Sequence, residues 1–219
     1  MTPRAVCLDV MGTMFDLSVV RRGLEKLGAP PLALEVWFGR LLHAAAAVTL
    51  TGDFRPFPEL AHATLRSVLA QLELDPERAQ DVLALLSQLE PYPETGAALQ
   101  RLADSRLRVV ALTNGSEQNT RALLERSGLD RQVERIVATE AVGVYKPHRA
   151  VYEHAAAELE VPAADVTLIA AHAWDVIGAE AAGLNAVWVT RLERVWPLPT
   201  REPRHAPDLG GAVEILLRR

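Results

Sequence analysis

The chain predicts an α/β fold: a Rossmann-like parallel-sheet core with an inserted all-helical cap. Three observations predict it. A short apolar run stands alone at the amino terminus; a long stretch without strand character follows; and from residue 92 onward short apolar runs alternate with helical patterns. Alternation of that kind implies a parallel sheet with crossover helices.

The strand candidates, in order, are Ala5–Asp9, Leu107–Thr113, Arg135–Thr139, Val166–Ala171 and Ala186–Thr190. Each is rich in apolar or β-branched residues and bounded by polar or glycine-containing segments. Helical patterns fall at Glu94–Asp104, Glu117–Ser127, Arg149–Leu159 and Asp175–Ala182, with Gly128 and Gly183 placed as carboxyl-terminal stops. Between Leu17 and Glu90 the spacing gives four successive helices, Leu17–Leu27, Pro31–Val48, Pro58–Leu72 and Pro76–Leu89. Pro30-Pro31, Gly52-Asp53, Pro56 and Asp75-Pro76 punctuate them. The reading is a core of residues 1–16 and 91–219 interrupted by a helical cap of 17–90; one continuous α/β domain with extra helices is the plainer alternative. The segment Trp196–His205, with Pro197, Pro199 and Pro203, reads as extended, and a last helix follows near Leu209–Leu217.

Composition narrows the functional classes. With 219 residues, 49% hydrophobic and 23% charged, the chain supports one sizeable core and an appended unit. A net charge of −5 gives no electrostatic reason to expect nucleic acid or an anionic membrane. No apolar run in the sequence is expected to reach membrane-span length, since Ala44–Leu50 is bracketed by His43 and Gly52. Cys7 is the only cysteine, so no disulfide can form within the chain, which fits a reducing cytosol. The first strand pattern begins almost at once, and no signal segment is expected ahead of it. Lys26 and Lys146 are the only lysines; every other cation apart from histidine is arginine. A compact ammonium is one thing arginine cannot supply, which draws attention to both.

Polar residues collect at the carboxyl ends of the strand candidates, where open parallel sheets bind their ligands. Asp9 ends the first, in Asp9-Val10-Met11-Gly12-Thr13-Met14-Phe15-Asp16. Thr113-Asn114-Gly115-Ser116 follows the second, Lys146-Pro147 the third, and Ala171-His172-Ala173-Trp174-Asp175 the fourth. Singly each has a plain explanation: a tight turn at Asn114-Gly115, a solvated loop lysine, a helix N-cap at Asp175. One strand order would bring them all to the same edge.

The sequence of motifs Asp-x-x-Gly-Thr, Thr-Asn-Gly-Ser, Lys-Pro and Ala-Trp-Asp resembles the four motifs of the haloacid dehalogenase superfamily. Gly12-Thr13-Met14-Phe15-Asp16, Asn114-Gly115-Ser116, Ala173-Trp174-Asp175 with Gly178-Ala179, and Lys146-Pro147 with Tyr152 resemble its L-2-haloacid dehalogenase branch. That resemblance implies a hydrolase in which Asp9 attacks the halogen-bearing carbon of a small anionic 2-haloacid to form an ester. Lys146 would keep Asp9 ionised, and Asp175 would position Lys146 or the hydrolytic water. Thr13, Thr113 and Asn114 would orient Asp9 or bind the substrate carboxylate, and Tyr152 would shape the pocket. No metal or cofactor is implied, and the resemblance permits a homodimer.

Two positions argue against phosphatase chemistry within the superfamily. Phosphatases carry a second aspartate two residues after the nucleophile to protonate a departing alkoxide; here it is Met11, and halide needs no proton. They also carry an acid four residues before the equivalent of Asp175, and here it is Ala171. A magnesium-dependent phosphatase holding its metal on Asp9 and Asp175 remains the alternative, with a catalytically weak binding protein as a third reading. Other departures touch the dehalogenase reading. The branch places an arginine after a cap tryptophan to receive halide, whereas Trp37 is followed by Phe38, with Arg40 two positions on. It also carries Ser-Ser-Asn where this chain has Ala170-Ala171-His172. Met11, Phe38 and Arg40 therefore join the candidate substrate contacts. His172 joins the candidate catalytic residues as a possible water-activating base, because imidazole titrates near neutral pH. Trp174 reads as a packing residue.

Overall fold

A computed structural model describes residues 3–218. Its centre is a six-stranded sheet of order β5-β4-β1-β6-β7-β8 in which every pairing is parallel. The strands are β1 (Ala5–Asp9), β4 (Arg108–Thr113), β5 (Arg135–Ala138), β6 (Val166–Ala170), β7 (Asn185–Val189) and β8 (Arg204–Ala206). The chain winds outward through β1, β4 and β5, then returns to the other side of β1 for β6, β7 and β8. The reversal at β1 and β6 opens a crevice at their carboxyl ends. Asp9 and His172 stand at its two lips.

Period-2 alternation sorts the strand side chains between two apolar clusters. Val6 and Leu8 join Val109, Ala111, Ile169 and Val187 on one face, under α5 (Thr95–Asp104), α6 (Glu117–Arg126) and α9 (Leu209–Leu217). Ala5 and Cys7 join Val110, Leu112, Leu168 and Ala170 on the other, under α7 (Arg149–Glu158) and α8 (Ala173–Ala181). The same alternation turns Asp9 toward the α7 and α8 side. Cys7 is wholly buried there, and burial pushes its thiol up to about 12, so it is no nucleophile at neutral pH.

The predicted strands and helices appear with ends moved by at most three residues. The tail reading needs correction: within the extended segment, Arg204–Ala206 is a sixth strand paired with β7. Two further strands, β2 (Phe15–Asp16) and β3 (Glu90–Pro91), were not legible at two residues each; they pair antiparallel where the chain leaves and re-enters the core. Between them lie α1 (Ser18–Lys26), α2 (Ala33–Thr51), α3 (Phe57–Gln71) and α4 (Ala79–Ala84). The fourth predicted helix, Pro76–Leu89, is instead broken into 3₁₀ turns at Pro76–Arg78 and Leu85–Gln88 around α4.

Helix α2, with 19 residues, is long and apolar enough to cross a membrane by length and composition alone, but Glu35 and Arg40 interrupt it, so it is no continuous apolar run. Its Trp37, Leu41 and Ala45 are buried in the apolar cluster shared with α3 and the sheet. The Trp37 indole N–H donates to the carbonyl of Ala61 on α3 at 3.2 Å.

Candidate active site

Lys146 sits just ahead of α7, where Asn114 Oδ1 accepts its backbone N–H at 3.0 Å. This ties the loop after β4 to the loop before α7. Lys146 is buried, with its side chain 1% exposed, and its ammonium donates to three oxygens: Asp9 Oδ1 at 2.8 Å, Asp175 Oδ2 at 2.7 Å and the Leu112 carbonyl at 3.1 Å. On the far side, the Tyr152 hydroxyl donates to Asp175 Oδ1 at 2.6 Å. Helix α8 can approach this closely because of Gly178. A Cβ there would lie 2.5 Å from both Pro147 Cβ and the Tyr152 hydroxyl.

The second oxygen of Asp9 has different partners. Thr13 Oγ1 donates to Oδ2 at 2.7 Å while accepting the backbone N–H of Ala171 at 2.9 Å. His172 Nδ1 is 3.0 Å from the same oxygen. Ala171, lacking the acid of the phosphatases, thus contributes through its main chain.

Burial alone would raise the Asp9 carboxyl. The Lys146 ammonium, with the hydrogen bond from His172, outweighs it and holds Asp9 well below the usual carboxylate range. Asp175 moves the other way, raised by complete burial and by the neighbouring Asp9 against the pull of Lys146. Burial would lower the Lys146 ammonium, but Asp175 and Asp9 hold it above its ordinary value. The arrangement is a buried cation shared by two carboxylates, the first kept ionised.

A cavity of about 20 Å³ opens above Asp9, enough for about one water. Asp9, Met11, Thr113, Asn114, His172 and Trp174 line it from the sheet side, and Phe38, Leu42 and Phe57 cover it from α2 and α3. An apolar groove of about 370 Å³ continues from it between α3, α4 and α6, sharing Met11, Phe57 and Gly115. Phe38 stacks on His172 with ring centroids 5.5 Å apart. The two residues that depart from the dehalogenase pattern are therefore in contact.

Several predicted positions fall elsewhere. Arg40 is absent from the lining, so among the described residues no guanidinium lines the cavity over Asp9. Tyr152 is buried behind Asp175 and forms no wall of the cavity. Thr113 acts locally, its Oγ1 accepting the Gly115 N–H at 2.9 Å. Trp174 packs 5.2 Å from the His172 ring and also lines the cavity, with the Lys146 ammonium 5.7 Å from its ring centre. Leu42 and Phe57 carried no chemical signal in the sequence, and Gly115 was read only as part of a motif. Arg191 is a further omission; it donates to the Thr13 carbonyl at 2.9 Å, pairs with Glu94 and lies 3.5 Å over the Tyr92 ring. Among the described residues no group of three or more His, Cys, Asp or Glu side chains is placed to hold a metal ion.

Known proteins share this framework. (S)-2-haloacid dehalogenase 4A of Burkholderia cepacia is 29% identical over 192 residues, covering 86% of this chain and 83% of that protein. (S)-2-haloacid dehalogenase H-109 of Pseudomonas putida is 28% identical over 222 residues, 97% of each chain. A dehalogenase crystal structure superposes with a TM-score of 0.89 at 27% identity, over 99% of this chain and 98% of that one. The family of haloacid dehalogenase-like hydrolases matches residues 3–183, and the chain belongs to it.

Proposed function

We propose that the protein hydrolyses small (S)-2-haloacids through an ester on Asp9, without a divalent metal. The observation that carries this reading is the Asp9 carboxylate, held ionised by Lys146 at 2.8 Å on the floor of a largely apolar cavity. A desolvated carboxylate of that kind suits displacement at carbon, which divides one difficult hydrolysis into two steps. Halide departs without a proton, so Met11 can stand where alkoxide departure would need an acid. The Asn114 amide lines the cavity, and its Nδ2 is buried without a partner, leaving a donor for the substrate carboxylate. In place of the missing arginine, Phe38, Phe57 and Trp174 line the cavity, and an aromatic edge carries partial positive charge that can receive a departing halide.

The magnesium of the phosphatase alternative does not fit these residues. Both carboxylates that would hold it are engaged by the Lys146 ammonium, at 2.8 and 2.7 Å, and position 171 offers no side-chain oxygen. We place the reaction in a reducing cytosol, as the single buried thiol of Cys7 supports, with a small anionic molecule as the partner.

Chloride release from (S)-2-chloropropionate in the presence of a chelator tests the reading, with p-nitrophenyl phosphate as the comparison. Chloride should appear and phosphate should not, and Asp9→Asn should abolish turnover. Phosphate release restored by magnesium would replace this reading with the phosphatase. An Asp9→Asn enzyme of wild-type rate, with no deamidation by mass analysis, would remove Asp9 as the nucleophile.

A further inference from the structure

We propose that His172 is a catalytic residue that donates a hydrogen bond to the ester carbonyl formed on Asp9, and is not the base that activates water. The inference rests on the dehalogenase reading above and assigns a role to a side chain that departs from its pattern.

The lone pairs of Asp9 distinguish its two oxygens. A carboxylate offers about four acceptor sites, two on each oxygen. Oδ2 has both engaged, by the Thr13 hydroxyl at 2.7 Å and by His172 Nδ1 at 3.0 Å. Oδ1 has one engaged, by Lys146 at 2.8 Å. The oxygen with a free lone pair is Oδ1, so Oδ1 attacks the halogen-bearing carbon. The new oxygen–carbon bond forms as the carbon–halogen bond breaks, and its electron pair leaves with the halide. Oδ2 is then the carbonyl oxygen of the ester, with two donors already aimed at it.

When water adds to Cγ of Asp9, the carbonyl electron pair moves onto Oδ2. Thr13 Oγ1–H and His172 Nδ1–H hold the resulting oxyanion in a site closed to solvent, where preorganised donors act most strongly. Collapse re-forms the carbonyl and breaks the bond between Cγ and Oδ1. Oδ1 leaves in the 2-hydroxy acid with one proton of the water, the second proton goes to solvent, and the water oxygen stays on Asp9.

The orientation of the ring excludes the role of base. An ionised Asp9 has no proton to give, so a hydrogen bond at 3.0 Å requires that Nδ1 carry one. Only Nε2 can then hold a free lone pair. Nε2 is buried without a partner, and its edge of the ring lies toward Gly12, in space that the missing side chain leaves to it. A Cβ added at Gly12 would lie 3.3 Å from Nε2 and 3.1 Å from Cε1. Phe38 and Trp174 pack the ring further, with centroids 5.5 and 5.2 Å away. With Nδ1 turned to Oδ2, the Nε2 lone pair diverges from it across the ring and points away from Cγ of Asp9.

Two substitutions separate the roles. In His172→Asn, the amide nitrogen occupies the bonded position of Nδ1 and can donate to Oδ2, but it cannot act as a base. His172→Leu can do neither. Chloride and 2-hydroxy acid release from (S)-2-chloropropionate are followed by rapid quench, with intact-protein mass reporting the ester at Asp9. The asparagine variant should turn over within about tenfold of wild type. The leucine variant should give a stoichiometric chloride burst and then a steady rate about 10²–10³-fold lower, with the ester accumulating. Asparagine as slow as leucine in ester hydrolysis would overturn the proposal in favour of a base, and leucine at wild-type rate would remove any role. Loss of the burst in both variants, with melting temperatures unchanged, would also overturn it by placing His172 in the first step. Absence of chloride from the wild-type enzyme would overturn the dehalogenase reading instead.

Discussion

Lys146 carries more of the site than any other side chain, because it is the one cation between two buried carboxylates. The signs of the shifts define where that contact stabilises. Asp9, held below its ordinary 3.8, contributes stability above pH 3.8 that is lost as pH falls through its lower folded value. Lys146, held above 10.5, contributes stability below pH 10.5 that is lost as pH rises through its folded value. Asp175, raised in the fold, works against stability above 3.8 and is kept in place by its partners. Lys146→Met should therefore destabilise the protein by about 3–5 kcal/mol near neutrality, the cost of leaving buried charge unpaired. With the main lowering influence gone and burial still acting, the Asp9 carboxyl should move up. The acid limb of kcat/KM, which the wild type should not show above pH 3.8 on account of Asp9, should then move toward neutrality. Denaturation curves and a pH–rate profile of the two enzymes check both statements; an unmoved acid limb would mean that Lys146 does not set the state of Asp9.

At the scale of elements, the site depends on how closely α8 lies against the start of α7, and Gly178 permits that approach. Gly178→Ala places a methyl 2.5 Å from Pro147 and from the Tyr152 hydroxyl, so either the helix moves or the 2.6 Å bond from Tyr152 to Asp175 breaks. The expected cost is about 1–3 kcal/mol from overpacking. Turnover should fall as well, because Asp175 loses the contact opposite Lys146; a full-rate variant of unchanged melting temperature would show that the gap is slack. Gly178 was legible in the sequence as part of a motif, but its neighbours were not. The same division runs through the whole site. Asp9, Lys146 and Asp175 could be read because each follows a strand pattern, and parallel topology collects such positions at one edge. Trp174, Leu42 and Phe57 could not, since the direction of a side chain depends on how helices rotate against the sheet. Arg40 was misplaced for the same reason. The paired strands at Phe15–Asp16 and Glu90–Pro91 are too short for alternation to reveal.

For the molecule as a whole, the size of the cavity sets a requirement on motion. A space of about 20 Å³ holds about one water, so a 2-haloacid can enter and its product leave only if α2 and α3 move from the sheet edge or the lining rearranges. The short β2–β3 pair is where the chain leaves the core for these helices and returns from them. The contacts it would break centre on Tyr145, immediately before Lys146. Its hydroxyl donates to the Arg55 carbonyl at 2.5 Å, its backbone N–H donates to Thr49 Oγ1 at 3.0 Å, and its ring stacks on Phe54 at 5.0 Å. Burial raises the Tyr145 phenol, so it remains a donor at any working pH. Tyr145→Phe keeps the stacking and removes one hydrogen bond worth about 0.5–1.5 kcal/mol, which shifts the balance toward the open form by about two- to tenfold. Because the unliganded enzyme is the closed form, raising the fraction that can admit substrate should lower KM by up to that factor. If opening limits product release, kcat should rise, and the dependence of kcat on solvent viscosity should weaken. Steady-state kinetics in a viscosity series, with Lys146 and Asp9 untouched, measure both. KM and kcat unchanged, with no viscosity dependence in either enzyme, would mean that the cavity fills by local side-chain motion and that the helices above Asp9 stay seated through the cycle.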